Sequence, residues 1–366
     1  MKKSSNKKPV AIDLFCGAGG LSAGLETAGF RIAVAVDSDS SACLTYSKNH
    51  KKTKIICSDI AELKTEDILN QINLSKNDIA LIAGGPPCQG FSMANGKTRT
   101  KNNPKNRLVN HFVRFIKEIR PLLFLMENVL GFKSIDGGRV VKNLRARFSK
   151  LGYKTELITL NAAYYGVPQN RLRVFLIGTR NGKEFREPLP KYGTNKKKLL
   201  VTVRDALLGD LPKLIPPGSN VCRYAGPPAN IYQSKIRSKI NQLYNHIATR
   251  NNKKVLKRKS LVPIGGNWRN VPKEFCNIKV QFSATYKRLD PDQPSITVSN
   301  FRKSMLIHPY EDRGLSVREA ARLQSFPDSY IFYGGISSMQ QQVGDAVPPL
   351  LAKSVGKQLT AMLVKL

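Results

Sequence analysis

Cys88 is the strongest candidate for a reactive side chain, because it follows two glycines and two prolines in the segment 84–89 (GGPPCQ). A free thiol has a pKa of about 8.5, so a nucleophilic role at neutral pH requires positive charge nearby. Residues 93–120 carry eight basic side chains and one acidic side chain. This setting favours the thiolate and predicts a nucleophile, the alternative being a buried structural cysteine.

A carboxyl group and two guanidinium groups complete the candidate catalytic set. Glu127 directly follows the apolar run 122–126 and is expected to emerge from a buried strand. Burial raises the pKa of a carboxyl group, which would let Glu127 donate a proton near neutral pH; a loop anchor is the alternative. Arg171 and Arg173 lie two residues apart in an extended segment and should point to one side, towards the chemistry or towards a phosphate.

The glycine-rich segment 13–20 (DLFCGAGG) predicts a nucleotide or nucleoside site, unless it is only a tight turn. Ser22 stands where the dinucleotide fingerprint needs glycine or alanine, which argues against NAD. Asp37, 20 residues past Gly17, is placed to accept from ribose hydroxyls, and Asp59 could accept from an adenine amino group. A site with carboxylate acceptors and no added cation suits a nucleoside that lacks a pyrophosphate, such as S-adenosylmethionine.

Seven short apolar runs must position these groups, and amphipathic stretches alternate with them as in consecutive β-α units. The pattern predicts an α/β fold with a parallel sheet, and helices over 315–324 and 346–366. Because ligands bind beyond the carboxyl ends of such strands, the polar groups after the runs should converge on one edge. The runs are 10–15, 32–36, 54–57, 79–83, 122–126, 157–160 and 174–177.

Charge indicates a polyanionic partner, with nucleic acid the first candidate. The 366 residues are 41% hydrophobic, and 60 basic against 25 acidic side chains give a net charge of +35. The excess is concentrated in residues 181–280, with 21 basic and 5 acidic side chains, which predicts a second, basic domain. The six cysteines form no C-x-x-C pair, so we expect no metal site, and no apolar run approaches a membrane span of about 18 residues.

In order and spacing, these segments resemble the motifs of the DNA cytosine-C5 methyltransferase family. The resemblance covers most of the chain outside the basic insert. It rests on 13–20, Asp37, Asp59, 87–89, 127–129, 169–173, 318–328 and 344–349.

The resemblance implies a Rossmann-like, S-adenosylmethionine-dependent methyltransferase sheet with a second, smaller, basic target-recognition domain. The cofactor-binding and catalytic domain would span 1–180 plus 344–366, and the small domain 181–343, with its variable region at about 181–281. The implied catalytic residues are Cys88, Glu127, Arg173 and Arg171; the implied cofactor contacts are Phe15, Gly17, Ala18, Gly19, Gly20, Asp37, Ser38, Asp59, Ile60, Pro87, Leu108, Asp345 and Val347; and the implied DNA contacts are Gln89, Ser92, Gln169 and Arg171.

The implied reaction is sequence-specific methylation of cytosine C5 in double-stranded DNA, with base flipping and covalent addition of Cys88 to C6. An RNA cytosine-C5 methyltransferase is the alternative, but such relatives typically read PPCQPFT, whereas Gly90 and Ser92 occur here. Asp345 departs from the usual asparagine, which predicts altered cofactor affinity. We expect a compact prokaryotic or phage enzyme that is cytoplasmic and monomeric, with a companion restriction endonuclease.

Overall fold

The chain forms two units. The first comprises Met1–Asn161, Leu172–Leu189 and Leu351–Leu366, and the second Ala162–Arg171 and Pro190–Leu350. These borders differ from the expected ones, because residues 162–171 and 344–350 belong to the second unit and residues 181–189 to the first. The function of each unit stays a prediction. The computed structural model describes residues 8–87, 105–180, 182–194, 199–215, 219–275, 282–299, 301 and 305–364.

Seven strands form the sheet of the first unit, and each overlaps one of the seven apolar runs. They are β1 (Val10–Leu14), β2 (Arg31–Asp37), β3 (Lys54–Cys57), β4 (Ile79–Gly84), β5 (Leu123–Val129), β6 (Lys154–Asn161) and β7 (Leu172–Thr179). Their order is β3-β2-β1-β4-β5-β7-β6, and β1 to β5 are parallel. The predicted α/β class is therefore confirmed, and the sheet has the order of a Rossmann-like methyltransferase.

The last strand departs from the predicted parallel sheet, because β7 is antiparallel to both β5 and β6. Only ten residues, 162–171, connect β6 to β7. A parallel crossover needs a dozen residues or more, usually with a helix, so this connection reverses the chain. The reversal places the first residues of β7 beside the last residues of β5.

The described residues form eleven α-helices, and no helix among them is long and apolar enough to cross a membrane. The aromatic core of the first unit is centred on Phe124, whose ring lies 4.2 Å from Phe148 and 6.2 Å from Phe112. The helices are α1 (Gly20–Thr27), α2 (Ser40–Asn49), α3 (Thr65–Gln71), α4 (Lys105–Ile119), α5 (Arg139–Lys150), α6 (Val203–Leu207), α7 (Ile231–Ile236), α8 (Lys253–Ser260), α9 (Val317–Leu323), α10 (Ile336–Asp345) and α11 (Pro349–Val364).

The second unit has short helices and one described hairpin, β8 (Val221–Cys222) with β9 (Leu243–Tyr244). Its centre is polar: the buried guanidinium of Arg322 lies 2.6 Å from Asp210 and 2.7 Å from Asp328. Arg322 belongs to α9, which confirms the helix predicted over 315–324. Removal of one partner from a buried ion pair strongly destabilises the folded state, so this ion-pair network holds α9 in the unit.

The packing of Phe124 predicts that Gly178→Ala destabilises the protein. Gly178 is the direct cross-strand partner of Phe124, and a Cβ there would lie 1.9 Å from the Phe124 ring. Overpacking of this kind costs about 1–3 kcal/mol of unfolding free energy, measurable by urea denaturation. Gly131→Ala is the control, since a Cβ at Gly131 meets nothing within 4 Å. Equal unfolding free energies for the two variants would contradict this account of the core.

Candidate active site at the carboxyl edge of the sheet

The turn between β1 and α1 has an unusual backbone that glycine makes possible. Phe15, Gly17 and Gly19 have φ values of 60°, 52° and 92°, all in the left-handed region. Glycine reaches this region without strain, whereas Phe15 is held there at a cost. A Cβ at Gly17 would meet nothing within 4 Å, so the space over the loop is open. The loop therefore has open space over the Gly17 backbone; the ligand site expected at residues 13–20 stays a prediction.

Asp37, at the end of β2, is bonded to this loop. Its Oδ2 accepts from the Gly17 N–H at 2.8 Å, and its Oδ1 accepts from the Asp39 N–H at 2.9 Å. Burial raises the pKa of this carboxyl group, and the two backbone N–H donors oppose that shift. Each oxygen keeps a further lone pair, so Asp37 can still accept from ligand hydroxyl groups.

A buried polar chain lies beneath the loop. The Tyr46 hydroxyl donates to Ser22 Oγ at 2.7 Å, and Ser22 donates to Asp13 Oδ2 at 2.6 Å. Asp13 is fully buried, and its Oδ1 has no partner among the described residues. Burial raises the pKa of Asp13 to about 7, with a smaller opposing effect from the Ser22 hydrogen bond. The sequence singled out Ser22 only as a departure from a fingerprint and missed its role as a donor.

The predicted cofactor contacts that follow β3 lie on an exposed turn. Asp59 is exposed and its Oδ1 accepts from the Ala61 N–H, whereas the Ile60 side chain is buried in the core. Asp13, Asp37 and Asp59 supply carboxylates, and no basic side chain occurs in the segments 10–20 and 55–61. This donor set fits a nucleoside with free hydroxyls and a positive charge better than a phosphate ester.

Glu127 and Arg173 form an ion pair at the same edge of the sheet. The Arg173 Nε lies 2.8 Å from Glu127 Oε1, and the two side chains are 10% and 11% exposed. The pair exists because Arg173 is the cross-strand partner of Val129 in the antiparallel β5–β7 register. The structure thus sets a guanidinium directly beside the carboxyl group, and the proton-donating role expected of Glu127 stays a prediction.

The segment after β4 is fitted closely to Glu127. A Cβ at Gly85 would lie 2.9 Å from Glu127 Oε2, so only glycine leaves room for the carboxylate there. The Asn128 side chain donates to the Pro86 carbonyl at 3.0 Å, which fixes the chain just before Pro87. The structure thus brings Glu127, Arg173 and Pro87 to one edge; Cys88, Gln89 and Ser92 lie outside the described residues.

Arg171 and Gln169, in the second unit, have other partners. The buried Arg171 guanidinium donates to the carbonyl groups of Val298 and Gly344, each at 2.7 Å. Gln169 is fully buried, donates to the Leu323 carbonyl and accepts from the Val298 N–H. These bonds join separate segments of the unit, which is a positioning role. The catalytic role of Arg171 and the DNA contacts of both residues stay predictions.

The remaining predicted cofactor contacts are distributed over both units. Ala18, Gly19 and Gly20 are buried in the loop, Ser38 is exposed after β2, and Leu108 lies half-buried on α4. In the second unit Val347 is buried, and the exposed Asp345 accepts a hydrogen bond from Gln341. The contacts predicted for these residues stay predictions.

The chain is similar to known proteins over most of its length. The profile of the C-5 cytosine-specific DNA methylase family matches residues 10–361. The chain is 36% identical over 370 residues to the type II methyltransferase M.DdeI of Desulfomicrobium norvegicum, covering 95% of this chain and 88% of that one. It is 36% identical over 352 residues to M1.HphI of Haemophilus parahaemolyticus, covering 96% and 86%. The crystal structure of a DNA modification methyltransferase encoded within an E. coli prophage gives a TM-score of 0.79 at 30% identity, covering 97% and 99%.

The raised pKa of Asp13 predicts a pH-dependent effect of Asp13→Asn on stability. Between its ordinary value near 4 and its folded value of about 7, folded Asp13 keeps a proton that the unfolded chain releases. Its contribution to the unfolding free energy is therefore full below about pH 4 and is lost as the pH rises to about 7. Relative to the unchanged protein, Asp13→Asn should gain about 1–4 kcal/mol between pH 5 and pH 8 in urea denaturation. Asp67→Asn, on exposed α3 surface, is the control; the same pH dependence in both variants would refute the assignment.

Proposed function

Because the chain belongs to the C-5 cytosine-specific DNA methylase family, we propose that it methylates C5 of a flipped cytosine in double-stranded DNA, using S-adenosylmethionine. It is a cytosine-5 DNA methyltransferase of the restriction-modification type. The observation that carries the finer proposal is the buried Glu127–Arg173 pair, which lies against the glycine segment leading to Cys88.

The chemistry follows from the weak nucleophilicity of cytosine C5. The Cys88 thiolate adds to C6, and Glu127, held by Arg173, contacts N3 and the exocyclic amino group as charge develops there. The electron pair released towards C5 makes that carbon nucleophilic towards the methyl group that bound S-adenosylmethionine would supply, with the thioether as the leaving group. Loss of the C5 proton to solvent then re-forms the C5–C6 double bond and expels the Cys88 thiolate. Since stacked bases hide C6, the cytosine must leave the duplex, which costs a few kcal/mol that phosphate and stacking contacts offset.

The β1–α1 loop is the proposed place of the cofactor. When bound, S-adenosylmethionine supplies the methyl group. Asp37 would hold the ribose hydroxyls while it anchors Gly17, and Asp59 would accept from the adenine amino group. A protonated Asp13 would leave one negative charge fewer beneath the loop near neutral pH.

The second unit is the proposed target-recognition domain, with its variable region at about 181–281. Its excess of basic residues suits a phosphate backbone, and exchange of this region with that of a relative should change the recognised sequence. A companion endonuclease, a cytoplasmic location and a monomeric state complete the proposal. The RNA alternative is not favoured, since the matching family is that of the C-5 cytosine-specific DNA methylases and the similar structure is a DNA modification methyltransferase by name.

DNA carrying 5-fluorocytosine tests the covalent step. Target sites are first mapped by sequencing methylated cytosines in DNA from cells that express the protein. At such a site, fluorine at C5 blocks the final elimination, so incubation with S-adenosylmethionine should leave Cys88 bound to the DNA in a complex that survives denaturing electrophoresis. Cys88→Ala should bind the duplex but give neither adduct nor methylation. Turnover by Cys88→Ala would overturn the nucleophile assignment.

The bonds of Asp37 predict that Asp37→Ala weakens cofactor binding. Loss of hydrogen bonds to a charged group costs about 1.5–3 kcal/mol, so the dissociation constant for S-adenosylmethionine should rise roughly 10- to 150-fold in calorimetry. Asp67→Ala removes an exposed carboxylate elsewhere in the first unit and should leave it unchanged. Equal affinities in the two variants would place the ribose site away from Asp37.

A further inference from the structure

Three exposed cations form a cluster that the proposed chemistry does not use. Lys133, which follows β5, and Lys142 and Arg145 of α5 are here called the α5 cluster. They line an open cavity of about 420 Å³ on the first unit, together with Gly138, Val141 and Leu157. None of these lining residues is acidic, and no described acidic side chain forms an ion pair with the α5 cluster.

Contacts with the edge strand β6 hold the α5 cluster in place. Arg145 donates to the Thr155 hydroxyl at 3.1 Å and to its carbonyl at 3.0 Å, while Lys133 Nζ lies 3.4 Å from Thr159 Oγ1. Thr155 and Thr159 are four residues apart in a strand, so both face α5. Lys142 is three residues before Arg145 and lies beside it on the helix surface. The three positive charges are therefore gathered over one face of β6.

Within the α5 cluster, Lys133 lies nearest to the carboxyl end of the sheet, where the proposed reaction takes place. Its contact Thr159 immediately precedes Leu160, which is the cross-strand partner of Arg173, and Arg173 is paired with Glu127. Thr159 and Leu160 face opposite sides of β6, so Lys133 is level with that ion pair along the strands and lies over the other face of the sheet. A DNA turn is about 34 Å long, so the backbone of a duplex whose cytosine reaches Glu127 extends well beyond the reacting base.

We propose that the α5 cluster binds backbone phosphates of the DNA beside the target cytosine. Cations without acidic partners repel one another and attract a polyanion, and lysines serve as point charges for phosphate. The inference rests on the proposed function, because it takes the bound duplex as the source of the phosphates. It assigns part of the DNA-binding surface to the first unit, in addition to the basic second unit.

The salt dependence of DNA binding tests this interaction. Lys133→Gln with Lys142→Gln is compared with Lys51→Gln with Lys52→Gln, an exposed pair of the first unit just before β3, at the opposite edge. On a 30-bp duplex with a mapped site, the α5 variant should lower the slope of log K against log salt by about 1.8, and weaken binding roughly 5- to 30-fold at 0.15 M salt. The control should retain both values, and Lys133→Arg with Lys142→Arg should retain the slope.

Protection of lysines from acetylation gives a second readout on the unaltered protein. The duplex should shield Lys133 and Lys142, seen by mass spectrometry, and leave Lys51 and Lys52 reactive; inorganic phosphate at millimolar concentration should shield neither pair. An unchanged slope together with equal labelling would overturn the α5 cluster as a DNA contact while leaving methylation intact. Failure of the unaltered protein to bind or methylate cytosine DNA would instead overturn the proposed function.

Discussion

The antiparallel course of β7 is the constraint on which the reaction edge depends. It brings Arg173, near the start of β7, beside Val129 at the end of β5, where it forms the 2.8 Å pair with Glu127. A parallel strand of eight residues would carry Arg173 to the other end, about 25 Å away at 3.3 Å per residue. Glu127 would then be a nearly buried carboxylate without a cation, which is costly. The ten-residue connection 162–171 is too short for a crossover helix, and it therefore determines that Arg173 lies beside Glu127.

The carboxyl groups of Asp13 in β1 and Asp37 at the end of β2 are held by hydrogen-bond donors. Asp13 and Asp37 lie under one glycine-rich loop with no described cation bonded to either, and burial raises the pKa of both. Asp37 receives two backbone N–H donors that oppose this shift, whereas Asp13 bonds Ser22 and its pKa rises to about 7. The number of donors that each carboxyl group receives therefore opposes burial to a different extent at the two sites.

The sequence predicted the elements that have a local cause. Each of the seven strands overlaps an apolar run, and α9 begins at a capping box between Ser316 and Glu319, so both could be located from residue type and spacing. The direction of β7 was missed because apolar periodicity carries no information on strand orientation. The separation of Arg171 from Arg173 was missed for a related reason. Alternation in an extended segment places both on one side, but their partners, the Val298 carbonyl and Glu127, are distant in sequence.

Buried ion pairs leave the positive charge of the surface in place. Asp210, Asp328 and Glu319 are buried, and they neutralise arginines inside the second unit. Each such pair withdraws one acid together with one base, so the large excess of basic over acidic side chains stays at the surface. The exposed cations, including those beside β6, repel one another, and this repulsion is relieved when a polyanion binds. Counterion release then makes affinity for DNA steeply dependent on salt.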